Sequence, residues 1–566
     1  MNQRLLTLCA AAVLTLSLSA QVTIPEPADP SPVSPECWQP LSRPRVGWGS
    51  TDVRYLRSAV AEDLTKSLAL RAWKGERVQA QAVISTPSDI AALTVSVSDL
   101  RCGAKTIAAA NVGASFVRYV LADTPADLHA VQLLPDLLSP DTAMAVGACT
   151  TRPVWLDICV PATAAPGKYT GRLTLTADGQ AYRLPFTLEV IDRTLPEPSE
   201  WAFHLDLWQN PYAVARYFGV PLWSQEHFDR MRPIMERLAA AGEKVITCSI
   251  IQHPWNSQTY DPFESMIAKM KQTDGTWRYD YQVFDRWVEF MMSCGITQQI
   301  DCYTLVPWHY QFEYYDCATN TVQTLACRPG EAAYREFLLP FLTDFARHLK
   351  AKGWFERTCI SMDERPLDQL EAVWTMIREA DPGYRIEGAA NFNVGEGSIG
   401  DRMYDLSIAY NYRVHTGEAL CQRLESGQKL TFYTCCGPAR PNTFVYSLPA
   451  ESTYLGWHAA AIHYSGYLRW AYCSWPEQPV QDTRFGSWHS GDTFLTYPEG
   501  SSIRFQRLIE GIQDYEKIRL LRPELSTRQQ ARLDRVLEKF SHNAMDDDFD
   551  VNALVSEGKA VLRALE

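Results

Sequence analysis

The sequence predicts a two-part fold, an N-terminal antiparallel β-sandwich followed by a (β/α)8 barrel that ends in helices. Three observations predict it. Apolar residues recur with period two up to about residue 195, as in strands with one buried face. Beyond a proline-rich segment the period becomes helical, with short β-type runs between the helices, as in alternating α/β folds. From Ser501 onward only helical periodicity remains.

Taken in order, the first 20 residues read as a signal peptide. Arg4 is followed by the largely apolar run Leu5 to Leu16 and by the small residues Ser17, Ser19 and Ala20. This predicts an exported protein, periplasmic or extracellular. Residues 21–198 form the predicted sandwich domain. Its lead-in to about residue 45 is rich in Pro and Ser. Val78, Ala80, Ala82 and Ile84 then alternate with polar residues, as do Leu93, Val95 and Val97. The clearest hairpin runs from Tyr169 to Val190 around Asp178-Gly179, a pair suited to a type I′ turn. Arg193 to Ser199 reads as a stiff linker, with Pro196 and Pro198. Residues 199–500 form the predicted barrel. Helices are expected at Phe228–Ala240, Phe284–Met292, Tyr334–Leu349 and Leu367–Ala380, with Pro340 kinking or splitting the third. Strands are expected at Val245–Ile251, Gln299–Thr304, Thr358–Met362 and Arg385–Ala390. Periodicity alone does not count all eight strands. Residues 501–566 form a helical segment with an apolar stripe of Leu508, Ile512, Tyr515 and Ile518.

The 566 residues carry a formal charge of -13, and no basic run stands out, which argues against a nucleic-acid partner. No stretch after the leader is long and apolar enough to span a bilayer. Cys9 lies in the leader, so 14 of the 15 cysteines remain, irregularly spaced and with no C-x-x-C pair. Most are expected as buried thiols, with one or two pairs bonded. Cys317 and Cys327 could close a loop, whereas a bond between the neighbours Cys435 and Cys436 would be strained. Nucleotide, serine-hydrolase and zinc-protease motifs are missing from the sequence, and the 11 histidines lack zinc spacing. No cofactor or metal is expected.

The candidate chemistry is concentrated in Ser361-Met-Asp-Glu-Arg-Pro366. Asp363 and Glu364 stand side by side where a strand gives way to a helix, the face on which barrels carry their active sites. Adjacent carboxylates repel, and each raises the proton affinity of the other. A solvated loop pair that caps the next helix fits the same residues. Aromatics favour the functional reading, because 13 of the 17 tryptophans lie between Trp201 and Trp488. Trp208, Trp255, Trp308, Trp470 and Trp475 fall near apparent strand ends, beside His204, Asp206, Gln209, His253 and Asn391. Indole faces that stack on sugar rings, together with such polar groups, fit a carbohydrate cleft. Each tryptophan on its own also fits ordinary core packing.

Five segments together resemble glycoside hydrolase family 123, within the group of domains of unknown function 4091. They are Ser361 to Pro366, Tyr433-Thr-Cys-Cys-Gly-Pro438, Gly466-Tyr-Leu-Arg-Trp470, Gly491-Asp-Thr-Phe-Leu-Thr-Tyr-Pro498 and Glu510-Gly-Ile-Gln-Asp-Tyr-Glu516. Their shared order covers about residues 200–520. One departure is Arg365, where many relatives of the wider group read Asp-Glu-Pro. The resemblance implies an exo-acting β-N-acetylgalactosaminidase acting on glycans that include glycosphingolipid head groups. It also implies retention through the substrate's own acetamido group, with Asp363 holding that group and Glu364 as acid and base. Tyr410, Tyr412, Tyr464 and Tyr467 are candidate donors to the acetamido oxygen. Trp470 is a candidate sugar platform, and Asn391, His204, Trp208 and Trp308 are further candidates for substrate contact. Two alternatives remain: a glycan-binding protein without catalysis, and a glycosidase of other specificity with two distant carboxylates.

Overall fold

The computed structural model describes residues 24–31, 33–392, 394–395, 397–412, 417–541, 545–546 and 548–566. The expected signal peptide, residues 1–20, lies outside the described residues. Two sheets make up the N-terminal part. One runs in the order Arg45–Gly49, Arg77–Thr86, Thr150–Cys159, Val112–Thr124, Asp127–Ser139. The other runs Leu68–Lys74, Gln180–Thr194, Gly167–Ala177, Ile90–Val97, Ala143–Val146. Side chains from both meet in one core, with Trp48, Ala82, Ile84, Val154 and Leu156 against Leu93, Leu173, Leu175, Leu188 and Val190. The expected hairpin forms, and Asp178 and Gly179 both take positive φ, as a type I′ turn requires. The sheets are not wholly antiparallel, because Leu68–Lys74 pairs in parallel with Gln180–Thr194. That pairing joins distant segments, so local alternation does not report it.

Eight parallel strands build a nearly closed barrel: β1 (His204–Leu207), β2 (Val245–Ser249), β3 (Gln299–Tyr303), β4 (Thr358–Met362), β5 (Arg385–Ala390), β6 (Asp405–Ala409), β7 (Lys429–Tyr433) and β8 (Gly466–Arg469). Their order is β1-β8-β7-β6-β5-β4-β3-β2. The last gap is bridged where the Lys244 N–H donates to the Leu205 carbonyl at 3.0 Å. Helices follow the strands in alternation, and Ile503–Leu521 follows β8. A four-stranded sheet of Trp277–Asp280, Ala268–Lys271, Gln311–Asp316 and Thr321–Ala326 stands beside the barrel. Among the described residues, no helix is long and apolar enough to cross a membrane.

Two expectations change, and a third gains detail. Pro340 lies within one continuous helix, Ala332–Lys352, neither split nor ended by it. Proline removes a single ladder bond, and Phe337, Leu338, Phe341, Leu342 and Phe345 bury one continuous face across it. Cys317 and Cys327 are unbonded, as is every other described cysteine. They flank the hairpin pairing Gln311 to Ala326 and Asp316 to Thr321, so one sits at its tip and the other at its base. The stretch Arg193–Ser199, read as a stiff linker, is tied to both parts. Its first two residues finish a strand, Leu195 is buried, and Lys244 Nζ binds the carbonyls of Pro198 and Ser199 at 3.0 and 3.1 Å.

The two parts grip each other through buried polar contacts. Asp136, in the N-terminal sheet, accepts from Arg504 Nε at 3.0 Å, Tyr497 Oη at 2.8 Å and Arg54 at 3.2 Å. Ser501–Ser502 adds a short edge strand to that same sheet. Asp123 receives the Ser490 N–H at 3.1 Å and His489 Nδ1 at 2.8 Å. Helix Ile503–Leu521 packs directly on Pro449–Ala461. A Cβ on Gly456 would stand 2.1 Å from the Gly511 carbonyl oxygen, so only glycine permits this approach.

Candidate active site

In a parallel barrel, alternate residues of each strand face the interior. β4 sends Cys359 and Ser361 inward, and Asp363 continues that series just past the strand end. Glu364 follows where the chain has left the strand, so both carboxylates reach one pocket. The pocket opens at the C-terminal end of the barrel, and its walls include Trp208, Trp255, Trp308, Trp470, Trp488 and Tyr433.

The two acids are held differently. Asp363 Oδ2 accepts from Trp308 Nε1 at 2.9 Å, and Oδ1 from the Glu364 N–H at 2.8 Å. Arg365 lies over the Trp308 and Tyr310 rings, 4.8 Å from each centroid. The arginine thereby packs the indole that orients Asp363. Burial pushes the Asp363 carboxyl above its ordinary range, and the two N–H bonds and the Arg365 charge pull it back. Burial also raises Glu364, aided by Asp363, while the Tyr433 hydroxyl and Asn391 act the other way. Tyr433 Oη donates to Glu364 Oε1. Both carboxyls are thus raised by burial, and fixed donors steady the ionised form of each, an arrangement suited to proton transfer.

A second wall is built on β8 and the loop beyond it. Trp470 Nε1 donates to Asp492 Oδ1 at 3.0 Å, and the buried Arg469 binds the same oxygen at 3.0 Å. Asp492 Oδ2 is buried and without a hydrogen-bond partner. Trp208 stacks on Trp255 with centroids 5.1 Å apart, and its Nε1 lies 3.4 Å from Asp206 Oδ2.

Below the pocket the barrel interior is acidic. Asp206, Asp301 and Glu387 bring carboxylate oxygens within 4.8 Å of one another, all buried. Burial, then the neighbouring carboxylates, push all three well above the ordinary range. The trio therefore holds protons where exposed acids would be ionised. It is the one oxygen cluster with metal-ligand spacing among the described residues.

The structure brings Asp363, Glu364, Trp208, Trp308 and Trp470 to the pocket and sets Asn391 against Glu364. It does not bring the other candidates there. Tyr467 and Arg469 point outward from β8, and Tyr467 Oη bonds Thr434 at 2.6 Å. Tyr410 falls outward beyond β6, against Tyr454 and His458. Tyr464 precedes β8 at the opposite end of the barrel, its carbonyl taken by Tyr515. His204 faces inward at that same end and meets Asp405 at 2.8 Å. Tyr412 is exposed and outside the pocket lining. Trp475 is buried against the Thr496 carbonyl. Trp255, one of the strand-end tryptophans, also lines the pocket, as do Tyr433, Trp488, Gln258 and Asp492, which received no role from the sequence. Tyr433 had a visible signal, since it ends a strand inside one of the five resembling segments.

The sequence of residues 208–521 matches the model of the glycoside hydrolase 123 catalytic domain, more than half of the chain. The chain belongs to glycoside hydrolase family 123. Residues 48–177 match the glycoside hydrolase 123 N-terminal domain. A family 123 glycoside hydrolase from Clostridium perfringens, whose structure concerns glycolipid glycan hydrolysis, is 27% identical with a TM-score of 0.84. The match covers 93% of this chain and 97% of that one. A β-glucuronidase from Parabacteroides merdae is 11% identical with a TM-score of 0.28, over 84% of this chain and 52% of that one, too distant to bear on function. No curated protein matches this sequence. The family 123 protein described here is a glycoside hydrolase.

Proposed function

We propose that this enzyme is an exo-acting, retaining β-N-acetylgalactosaminidase that uses the substrate's acetamido group as its nucleophile. The observation that carries this reading is Asp363 beside Glu364 in one aromatic-walled pocket, Asp363 fixed by Trp308 and Glu364 bonded by Tyr433. The acetamido N–H donates to Asp363 while the acetamido oxygen bonds to the anomeric carbon. Glu364 gives its proton to the glycosidic oxygen, and the carbon–oxygen bond to the leaving group breaks. A water then attacks the anomeric carbon, Glu364 takes its proton, and the oxazoline-type ring reopens. Trp470 supplies a stacking face. The Clostridium perfringens relative supports a glycolipid glycan as substrate, and the terminal β-GalNAc rests on the family resemblance. Residues 1–20 as a leader and 21–198 as a β-sandwich domain complete the reading, with an exported enzyme as its outcome.

Turnover of p-nitrophenyl β-GalNAc, compared with the β-GlcNAc and β-galactoside analogues, tests it. The expected result is strict dependence on the 2-acetamido group, inhibition by a thiazoline analogue, and near loss of activity in Asp363→Asn. Substantial activity in that variant would sink the mechanism. A second reading rests on Asp492, whose Oδ2 is free of partners at the pocket wall. Paired with Glu364, it would act on substrates without an acetamido group. Cleavage of the plain β-galactoside, lost in Asp492→Asn, would favour it.

A further inference from the structure

Two neighbouring thiols lie in the wall of the catalytic pocket. Cys435 and Cys436 both line it, with their sulfurs 3.7 Å apart. Cys436 is exposed and Cys435 half-buried, so a small solute in the pocket can reach the pair. The flanking chain is pinned. Tyr433 binds Glu364, and Thr434 Oγ1 receives Arg469 at 3.1 Å and meets Tyr467 at 2.6 Å. Asn442 Nδ2 donates to the carbonyls of Cys435 and Pro438 at 3.0 and 2.7 Å. The hydrogen bond to Cys435 lowers the Cys436 thiol from its ordinary range, against burial and the Asp492 and Glu364 charges. The proposed glycosidase mechanism leaves both sulfurs unused.

We propose that Cys435 and Cys436 form a reversible modification site for peroxide-class oxidants, closing to a vicinal disulfide that reshapes the catalytic pocket. The exposed Cys436 thiolate attacks one peroxide oxygen. The O–O bond breaks, and the sulfur becomes a sulfenic acid as hydroxide leaves and is protonated to water. Cys435 sulfur then attacks the Cys436 sulfur, and the sulfenic oxygen departs as a second water with the Cys435 proton. One peroxide is reduced to two waters, and two thiols are oxidised to one disulfide. Closure draws the sulfurs from 3.7 Å to about 2.0 Å. Adjacent Cα atoms are about 3.8 Å apart, below the usual span of a disulfide, so the backbone at 435–436 must turn. Because both flanks are pinned, that turn falls on the pocket wall and on Tyr433, which holds Glu364.

The effect on turnover rests on the function proposed above, whereas the bond does not. The test treats the full-length enzyme with hydrogen peroxide, blocks remaining thiols with iodoacetamide and digests it. The expected peptide containing Cys435 and Cys436 is lighter by about 2 Da and carries no alkyl group. Cys435→Ser and Cys436→Ser each abolish that species. On p-nitrophenyl β-GalNAc, the oxidised parent should lose up to roughly 10²-fold in kcat/KM, as displacements of about 1 Å near reacting groups do, and dithiothreitol should restore it. Neither serine variant should show a reversible loss relative to its own untreated form. Doubly alkylated cysteines after oxidation would overturn the site. A disulfide that forms without changing kcat/KM would overturn the effect on the pocket. If untreated enzyme fails to turn over the aryl glycoside, the substrate reading fails and the peptide mass still decides the site.

Discussion

At the scale of single residues, the site depends on how each carboxyl is held. Glu364 is the proposed acid, and acid catalysis contributes roughly 10²–10⁴-fold. Glu364→Gln should therefore lower kcat by about that factor on substrates with poor leaving groups. The loss should be smaller on p-nitrophenyl glycosides, whose leaving group needs less protonation. Tyr433 gives a finer prediction. Its hydroxyl stabilises the ionised form of Glu364, since the bond lowers a carboxyl that burial raises. Glu364 must be protonated to act, so activity falls as pH rises through its folded value. Asp363 must be ionised, so activity falls as pH drops through its own. Tyr433→Phe should move the alkaline limb of the kcat profile upward and leave the acid limb nearly in place. An unmoved alkaline limb would separate Tyr433 from the control of Glu364. These residues differed in how legible they were. Asp363 and Glu364 are adjacent in sequence and need no register to be noticed. The tyrosines needed one. Tyr467 lies next to Leu468, which faces the pocket, and one step along a strand reverses the face. Tyr410 misses the interior by the same single step. Asp492 lies in a resembling segment, but its place in the pocket wall depends on Arg469 and Trp470, 22 or 23 positions away.

At the scale of elements, the long helices and central strands were legible because their apolar periods are continuous. β1 and β8 were not, since each has only four residues, and neither were the five-residue β6 and β7. The inward residues of β1, β6 and β7 include His204, Asp206, Asp405, Ser407 and Thr431, so they lack the apolar run of a buried strand. That polar interior has a measurable effect. Glu387 is faced by Asp405, Asp206 and Asp301 and by the hydroxyls of Tyr303 and Ser361. His204 and Lys429 offset only Asp405. Its folded value is raised, so between the ordinary carboxylate range and that value the folded state binds more protons than the unfolded one. Its contribution is fully present below the ordinary range and is lost as pH rises through the folded value. Glu387→Gln has no such proton to lose. The melting temperature of the variant, relative to the parent, should therefore rise as pH climbs above the ordinary carboxylate range. A difference independent of pH would show that Glu387 is not the titrating group.

At the scale of the whole molecule, the N-terminal sheets and the barrel are joined by buried charge. Lys517, on the helix after β8, meets Glu76 of the N-terminal part at 2.6 Å, with both side chains almost fully buried. Removing one partner of such a pair costs about 3–5 kcal/mol, because the other is left buried and unpaired. Lys517→Met should lower the denaturation midpoint sharply, and adding Glu76→Gln should recover much of the loss. Equal midpoints for the single and double variants would show that the pair is not coupled. Asp123 and Asp136 join the parts in another way. Asp123 holds His489 and Ser490, and Asp136 holds Arg504, whose guanidinium also binds the carbonyls of Gly491 and Phe494. Asp492 sits between those two carbonyls and forms part of the pocket wall. Two acids of the upstream sheets thus set the shape of the sugar site without touching it. In evolutionary terms, the two parts constrain each other: a recombinant carrying N-terminal sheets without these aspartates would keep every pocket residue and still lose the shape of the pocket.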